Sequence, residues 1–237
     1  MRFYLDNNIF YENDVLYYDD GGKISKVKGR DWHIRLSNYG WTKLNKKWII
    51  QFNKLSKHKQ KNSLFGVLDC GGDGDCLFNC ISYALNEGGN IDAEGLRNGL
   101  CDYITESKFN TIIEIYRILK ETGEFEEIWD PDITSFEGFK ELLKQGGENY
   151  WGDSLILDFL KEFLNINIIV LYNNDITNEY YHYRMLDKYD GDKNTIVLLY
   201  INEIHFQLIG YFSENKMNVI FNRSNIPEEL LSMVEIR

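Results

Sequence analysis

Residues 68–85, "LDCGGDGDCLFNCISYAL", decide how this chain is read. Glycines and aspartates crowd the first half, and Cys76 stands where the composition turns apolar. Leu77, Phe78, Ile81, Ala84 and Leu85 recur at helical spacing, which predicts an acidic loop running into a helix over 76–86. Cys76 then opens a helix, where the first backbone N–H groups lack helical partners and carry partial positive charge. A thiolate placed there is stabilised, its pKa falls, and it becomes nucleophilic near neutral pH. Gly71, Gly72 and Gly74 let the backbone approach a substrate and turn N–H groups toward one point, as an oxyanion hole for acyl transfer requires.

Other chemistries fit the loop less well. A calcium loop with Asp73 and Asp75 at positions one and three would put Leu77 and Phe78 where a ligand and a glycine belong. A phosphate loop would end in Gly-Lys-Ser/Thr, and Asp69, Asp73 and Asp75 would repel its ligand. The spacing of Cys70, Cys76 and Cys80 contains no C-x2-C pair, so no zinc site and no metal is expected. The bland alternative is a turn before an ordinary core cysteine. Cys80 and Cys101, on apolar faces, are assigned to the core; Cys70 stays undecided.

A thiolate nucleophile needs a base, and the chain offers His33, His58, His182 and His205. His58 lies in the basic run 54–62, read as a solvated helix face, and His33 in the leading segment. His182 falls inside a strand pattern, whereas His205 opens one directly after a turn, a junction that commonly carries function.

The 237-residue chain is 43% hydrophobic, enough for one domain with an added segment. No apolar run approaches the about 18–20 residues of a membrane span, and the N-terminus does not read as a secretion signal. A cytoplasmic location and reduced thiols follow as expectations. The net charge of −11 disfavours nucleic acid as a partner. Residues 1–40 read as a small β-rich lead with a hairpin at "YYDDGGKI". Trp41, Leu44, Trp48, Phe52 and Leu55 form a helical stripe over 41–60. Further helices are expected from Asp92, over 110–123, after Ser135 and over 151–165, where Asp153 or Ser154 can cap; Gly123 and the pair Gly146–Gly147 act as stops. Strands follow at 166–172, 179–186, 194–201 and 205–212, then a short capped helix in the tail. Helices first and strands later argue for an α+β or mixed α/β fold, with helices packed around a small central sheet.

"DGDCLFNCI", then "YWGDSLILDFLKEFLNINIIVL", then "HFQLIGYF" together resemble the ovarian-tumour (OTU) family of cysteine proteases over roughly residues 64–212. The resemblance implies a papain-like OTU fold, with a core over 61–215, a leading extension over 1–60 and a tail over 216–237. It implies a monomeric deubiquitinase that cleaves isopeptide bonds after the C-terminal glycine of ubiquitin or polyubiquitin without a cofactor. Related outcomes are a protease for another ubiquitin-like modifier and a ubiquitin-binding module that does not cut. A pathogen or virus source would place it in host cytoplasm. Carried over residue by residue, Cys76 matches the nucleophile, His205 the base, and Asp73 the loop residue that helps form the oxyanion hole, with Gly74 and Asp75 completing the loop. The family's third member, two positions after the histidine, is Asp or Asn; here it is Gln207. Residues i and i+2 of a strand share a face, so its amide oxygen could accept from the His205 Nδ1–H, with Asp69 as the substitute. Phe206 and Trp151 are candidate walls of the substrate approach, with core packing the simpler role for Trp151. Tyr11, Tyr17, Tyr18 and Trp32 offer either a second ubiquitin site or, the favoured reading, a brace across the core.

Overall fold

A computed structural model of the chain describes residues 2–56, 63–85, 91–125, 127–174, 176–177, 179–185 and 188–235. The fold is mixed α/β and divides into two compact units, Met1–Asp69 with Asn167–Arg237, and Cys70–Ile166.

The first unit carries the sheets. Strands β1 (Arg2–Tyr4), β2 (Ile9–Glu12), β3 (Val15–Asp20) and β4 (Lys23–Lys26) form a four-stranded antiparallel meander. The β3–β4 turn is the expected Asp-Asp-Gly-Gly hairpin, with Gly21 and Gly22 at positive φ. The second sheet runs β5 (Trp41–Lys43), β6 (Phe65–Leu68), β10 (His205–Ser213), β9 (Thr195–Ile201), β7 (Asn167–Asn174) and β8 (Glu179–Met185), with β11 (Lys216–Asn218) on β10 and β12 (Ile220–Phe221) on β9. Only β7 and β9 pair in parallel among the described strands.

Two features differ from the sequence expectation. Trp41 belongs to β5, opposite Leu68, rather than to the helix, which starts later as α2 (Lys46–Ser56). Asn45 sets that start: its side chain accepts from Lys47 N–H and its carbonyl from Trp48 N–H. Trp41 is buried over Gly66 and Gly210, whereas Leu44 is buried with Phe65 and Val67, so their helical spacing reflects burial on two faces of the sheet and not a shared helix. The expected loop also begins later, because 65–68 is a fully buried strand. The basic run continues past Ser56 into residues that lie outside the described ones, His58 included.

α2 and α8 (Glu228–Glu235) pack on the sheet through Trp48, Phe52, Leu230 and Met233 against Ile169, Val197, Leu199 and Ile209. Gly66 and Gly210 face each other across β6 and β10. A Cβ on Gly66 would lie 2.9 Å from the Trp32 and Trp41 rings, and one on Gly210 2.7 Å from Trp41. The glycine pair is therefore the seat for two indoles of the leading segment. Trp32, in α1 (Trp32–Arg35), is wholly buried, while Tyr11, Tyr17 and Tyr18 are half-buried.

The second unit is helical: α3 (Cys76–Leu85), α4 (Ala93–Tyr103), α5 (Glu106–Thr122), α6 (Phe136–Gln145) and α7 (Ser154–Leu164). Local chemistry fixes the ends. Asp92, Thr105, Ser135 and Asp153 each accept a backbone N–H at a helix start, a cap worth about 1 kcal/mol. Gly123 and Asn165 end α5 and α7 in the left-handed conformation. Leu77, Phe78, Ile81, Leu100, Ile112, Phe139, Ile156 and Leu160 fill the core.

Candidate active site

Chemistry-bearing residues gather in one cluster within each unit. In the helical unit the loop 71–75 leads into α3. Asp73 and Gly74 take consecutive left-handed conformations, at φ 58° and 84°, which reverse the chain just before the helix. Gly74 is also required by contact. A Cβ there would lie 2.0 Å from the carbonyl oxygen of Gly147, so two backbones touch where a side chain cannot fit. The Asp75 N–H donates to the Gly72 carbonyl (3.2 Å), and the Asp75 carbonyl accepts the first helical bond from Asn79 N–H (2.8 Å). Cys76 follows as the first residue of α3, 8% exposed.

The Asp75 N–H is thus taken by Gly72 within the loop. Its side chain does something else. Oδ1 accepts from Nε (2.8 Å) and a terminal nitrogen (2.5 Å) of Arg97, in α4. Arg97 is 2% exposed and also donates to the carbonyls of Leu143 (2.9 Å), Tyr150 (3.1 Å) and Gly74 (3.3 Å). Its guanidinium carbon lies 3.9 Å from the centre of the Phe78 ring. Sequence reasoning passed over Arg97, although a signal was present. Positions 97, 100, 101 and 104 form one apolar stripe of α4, and an arginine within such a stripe implies a buried, fully partnered cation.

The glycines read as helix stops have a second use. A Cβ on Gly146 would lie 2.8 Å from Arg97 Nε and 3.0 Å from Asp75 Oδ1, and Gly147 N–H donates to that same oxygen (3.4 Å). Gly152, of the Trp-Gly start, leaves room for Leu77 of α3, which a Cβ would approach to 2.7 Å. Trp151 itself is 42% exposed, so it is a surface residue and not the core residue that was the simpler expectation.

Beneath this segment lies a buried acid–tyrosine group. Asp153 Oδ1 accepts from the N–H groups of Leu155 and Ile156 (both 2.9 Å), and Oδ2 from the Tyr116 hydroxyl (2.6 Å), which also bonds the Tyr150 hydroxyl. Burial raises the Asp153 pKa and pushes both tyrosines well above their ordinary value. Burial first, then the nearby Asp153, pushes Glu127 up to about 7, while the Trp151 N–H it accepts works the other way. None of the four cysteines is in a disulfide. Burial pushes the Cys101 thiol up to about 11, in keeping with an inert core residue.

In the sheet unit His205 opens β10, and its Nε2 lies 3.2 Å from Asp69 Oδ1. Gln207 donates its amide nitrogen to Asp69 Oδ2 (3.5 Å). The histidine's carboxylate neighbour is therefore Asp69, on Nε2, and Gln207 reaches that carboxylate rather than the ring. Register explains it. Leu208 sits opposite Leu68, so the residue after β6 arrives beside Gln207, on the face that His205 shares. Phe206, expected as a wall, is 3% exposed and stacks on Tyr200 at 4.3 Å, because it points to the other face of the strand. His182 lies in β8 opposite Tyr172, and His33 in α1. No metal-binding cluster occurs among the described residues, and no described helix is long and apolar enough to cross a membrane.

The model of one protein family, OTU-like cysteine proteases, matches residues 71–208, more than half of the chain and spanning both Cys76 and His205. The chain belongs to the OTU-like cysteine protease family. No curated protein matches it. Among solved structures, the viral OTU domain protease of Qalyub virus is 20% identical, with 61% of this chain and 83% of that one covered and a TM-score of 0.43. An OTU deubiquitinase of Wolbachia pipientis wMel is 17% identical, covering 72% and 96%, with a TM-score of 0.41. An OTU domain in complex with ubiquitin is also 17% identical, covering 72% and 81%, with a TM-score of 0.43. The assignment to the OTU-like family rests on the family model, which begins two residues after Asp69 and so leaves that carboxylate outside the matched range.

Proposed function

We propose that this OTU-like protein is a deubiquitinase that hydrolyses the isopeptide bond after the C-terminal glycine of ubiquitin, with Cys76 as nucleophile and His205 as base. The observation that carries the reading is Cys76 at the start of α3, behind a left-handed Asp73–Gly74 turn, inside the span matched by a cysteine-protease family. The Cys76 thiolate attacks the glycyl carbonyl carbon, and the negative charge on its oxygen is met by backbone N–H groups at Asp73, Gly74 and Cys76. The C–N bond breaks as His205 hands its proton to the departing lysine amine, leaving a thioester on Cys76. His205 then takes a proton from water, the hydroxide adds to the thioester carbonyl, and the ubiquitin carboxylate leaves as the thiolate re-forms.

Asp69 is the orienting member in this reading. A carboxylate on Nε2 keeps that nitrogen protonated and leaves Nδ1 to exchange the proton. Gln207 steadies the carboxylate. Trp151, exposed beside the Trp-Gly turn, is the proposed wall for the substrate tail. The reaction needs no metal or organic cofactor, and a monomer in a reducing cytoplasm suits a thiol enzyme.

The test is incubation with ubiquitin bearing a thiol-reactive group at its C-terminus, beside Cys76→Ala. A mass gain of one ubiquitin that the variant loses is the expected result. No adduct with folded protein would overturn the ubiquitin reading, and a panel of other modifiers carrying the same group would then be tried.

A further inference from the structure

The Arg97–Asp75 pair suits neither of the ordinary uses of a salt bridge. A surface pair would be weak, and a buried pair gives stability only where every donor is satisfied. Here one partner is 2% exposed and the other 34%, and the buried one spends its remaining donors on three backbone carbonyls from separate segments. Those carbonyls belong to Gly74 in the loop, Leu143 in α6 and Tyr150 before α7. Four acceptors gathered around one planar group, three of them sharing the two hydrogens of one terminal nitrogen, thus tie the loop to two elements that approach it.

The peptide between Gly74 and Asp75 is held at both edges. Its carbonyl is taken by Arg97, and its N–H by the Gly72 carbonyl. A peptide fixed in this way fixes its neighbours. The Gly74 N–H and the Cys76 N–H belong to the peptides on either side, and anchoring the plane between them narrows the range over which each can swing. Gly146 and Gly147 serve the same end, since a side chain on Gly146 would displace the guanidinium and the Gly147 N–H shares the Asp75 oxygen. Lysine could not substitute, because a single ammonium lacks the fork that reaches four acceptors at once.

We propose that Arg97 is a positioning residue: through Asp75 and the Gly74 carbonyl it holds the loop 71–75 in the conformation that aims its N–H groups and presents Cys76. The proposal rests on the reading of Cys76 as the nucleophile, and it deepens that reading. Arg97 touches neither the thiol nor a substrate in this account; it acts on the loop alone.

The test uses the full chain with Asp75→Ala, Asp75→Asn and Arg97→Lys, each checked for folding by circular dichroism. Hydrogen–deuterium exchange reads the loop peptide, turnover of a fluorogenic ubiquitin C-terminal amide gives kcat and KM, and iodoacetamide alkylation reads Cys76 without any ubiquitin. For Asp75→Ala, faster exchange confined to residues 71–76 is expected. With it should come a fall in kcat of about tenfold or more at nearly unchanged KM. Asn keeps an oxygen where Oδ1 sits and should recover much of the loss; Asn no better than Ala would overturn the geometric role. Unchanged loop exchange would overturn the proposal outright, as would a loosened loop with unchanged kcat. Should the wild type leave the ubiquitin amide uncut, the deubiquitinase reading falls by itself. The alkylation rate then decides on Arg97: a drop of about tenfold in Asp75→Ala supports positioning, and no change overturns it. Should Arg97→Lys fail to fold, the two Asp75 variants carry the test, since that side chain is a third exposed.

Discussion

The loop that ends at Cys76 and the strand that begins at His205 are held by opposite means. The loop depends on what is missing and what is buried: glycines at 74, 146 and 147 where any Cβ would collide or strain, and one cation with almost no exposure. The strand depends on regular pairing, with β6 on one side of β10 and β9 on the other, and its histidine meets a carboxylate that is 56% exposed. Damage should therefore behave differently in the two places. In the loop a small change in volume should disturb fold and chemistry together. At the strand, chemistry should be removable while stability stays.

The harshest way to break the first half of that contrast is Gly74→Ala. The new Cβ meets the Gly147 carbonyl at 2.0 Å and the residue must hold φ 84°, so the loop has to move. A left-handed alanine alone costs about 1–3 kcal/mol, and displacement of the loop should cut turnover by about a hundredfold or more. Gly72→Ala sharpens the point: its Cβ would meet nothing within 4 Å, and its melting temperature should match the wild type. Thermal melts and ubiquitin-amide turnover read both. Equal damage from both substitutions would mean that flexibility, not close approach, explains the glycines.

The second half is broken at Asp69. Replacing it with Ala should lower kcat by about ten- to a hundredfold through the loss of an oriented histidine. The melting temperature should hardly change, because an exposed ion pair contributes little stability. A parallel fall in melting temperature would contradict the contrast. Gln207→Ala should be milder, roughly two- to fivefold in kcat, because its bond to Asp69 is long at 3.5 Å and it acts one step removed from the ring. A larger effect at Gln207 than at Asp69 would return the orienting part to Gln207.

Sequence reasoning reached these regions unequally, for reasons visible in single residues. The helical unit was readable because its signals are local: Asp92, Ser135 and Asp153 cap, and Gly123 stops, whatever the rest of the chain does. The strands β7 to β10 were readable because the pattern there changes to period two or to continuous apolar runs. Trp41 was misplaced because a residue facing the core just ahead of a helix mimics helical spacing. β6 was missed because four apolar residues beside a glycine-rich loop carry no period. That miss hid the rest: the nearness of Asp69 to His205 follows from the pairing of β6 with β10, which is long-range and has no local mark. Cys76 and His205 stood out by position and resemblance, whereas Arg97 owes its hydrogen-bond partners to three separate segments.

Buried carboxylates of the helical unit extend the contrast in the mildest way. Asp69 is exposed, whereas Glu127 is half-buried near Asp153, and the difference should appear in how stability follows pH. The ordinary value for Glu127 is 4.5 and the folded chain raises it to about 7. Below about 4.5 the side chain is protonated in both states and imposes nothing. As pH rises toward 7 the unfolded chain releases the proton while the folded chain retains it, so stability falls through this window and levels off above it. Glu127→Gln keeps the shape and removes the titration. Its melting temperature relative to the wild type should therefore climb between about pH 5 and about pH 8, by a few degrees at most, with little difference at the acid end. A difference that stayed constant across the range would show that the folded chain does not hold that proton. A difference that shrank with rising pH would require a partner that stabilises the charged form, which the acidic neighbour Asp153 opposes.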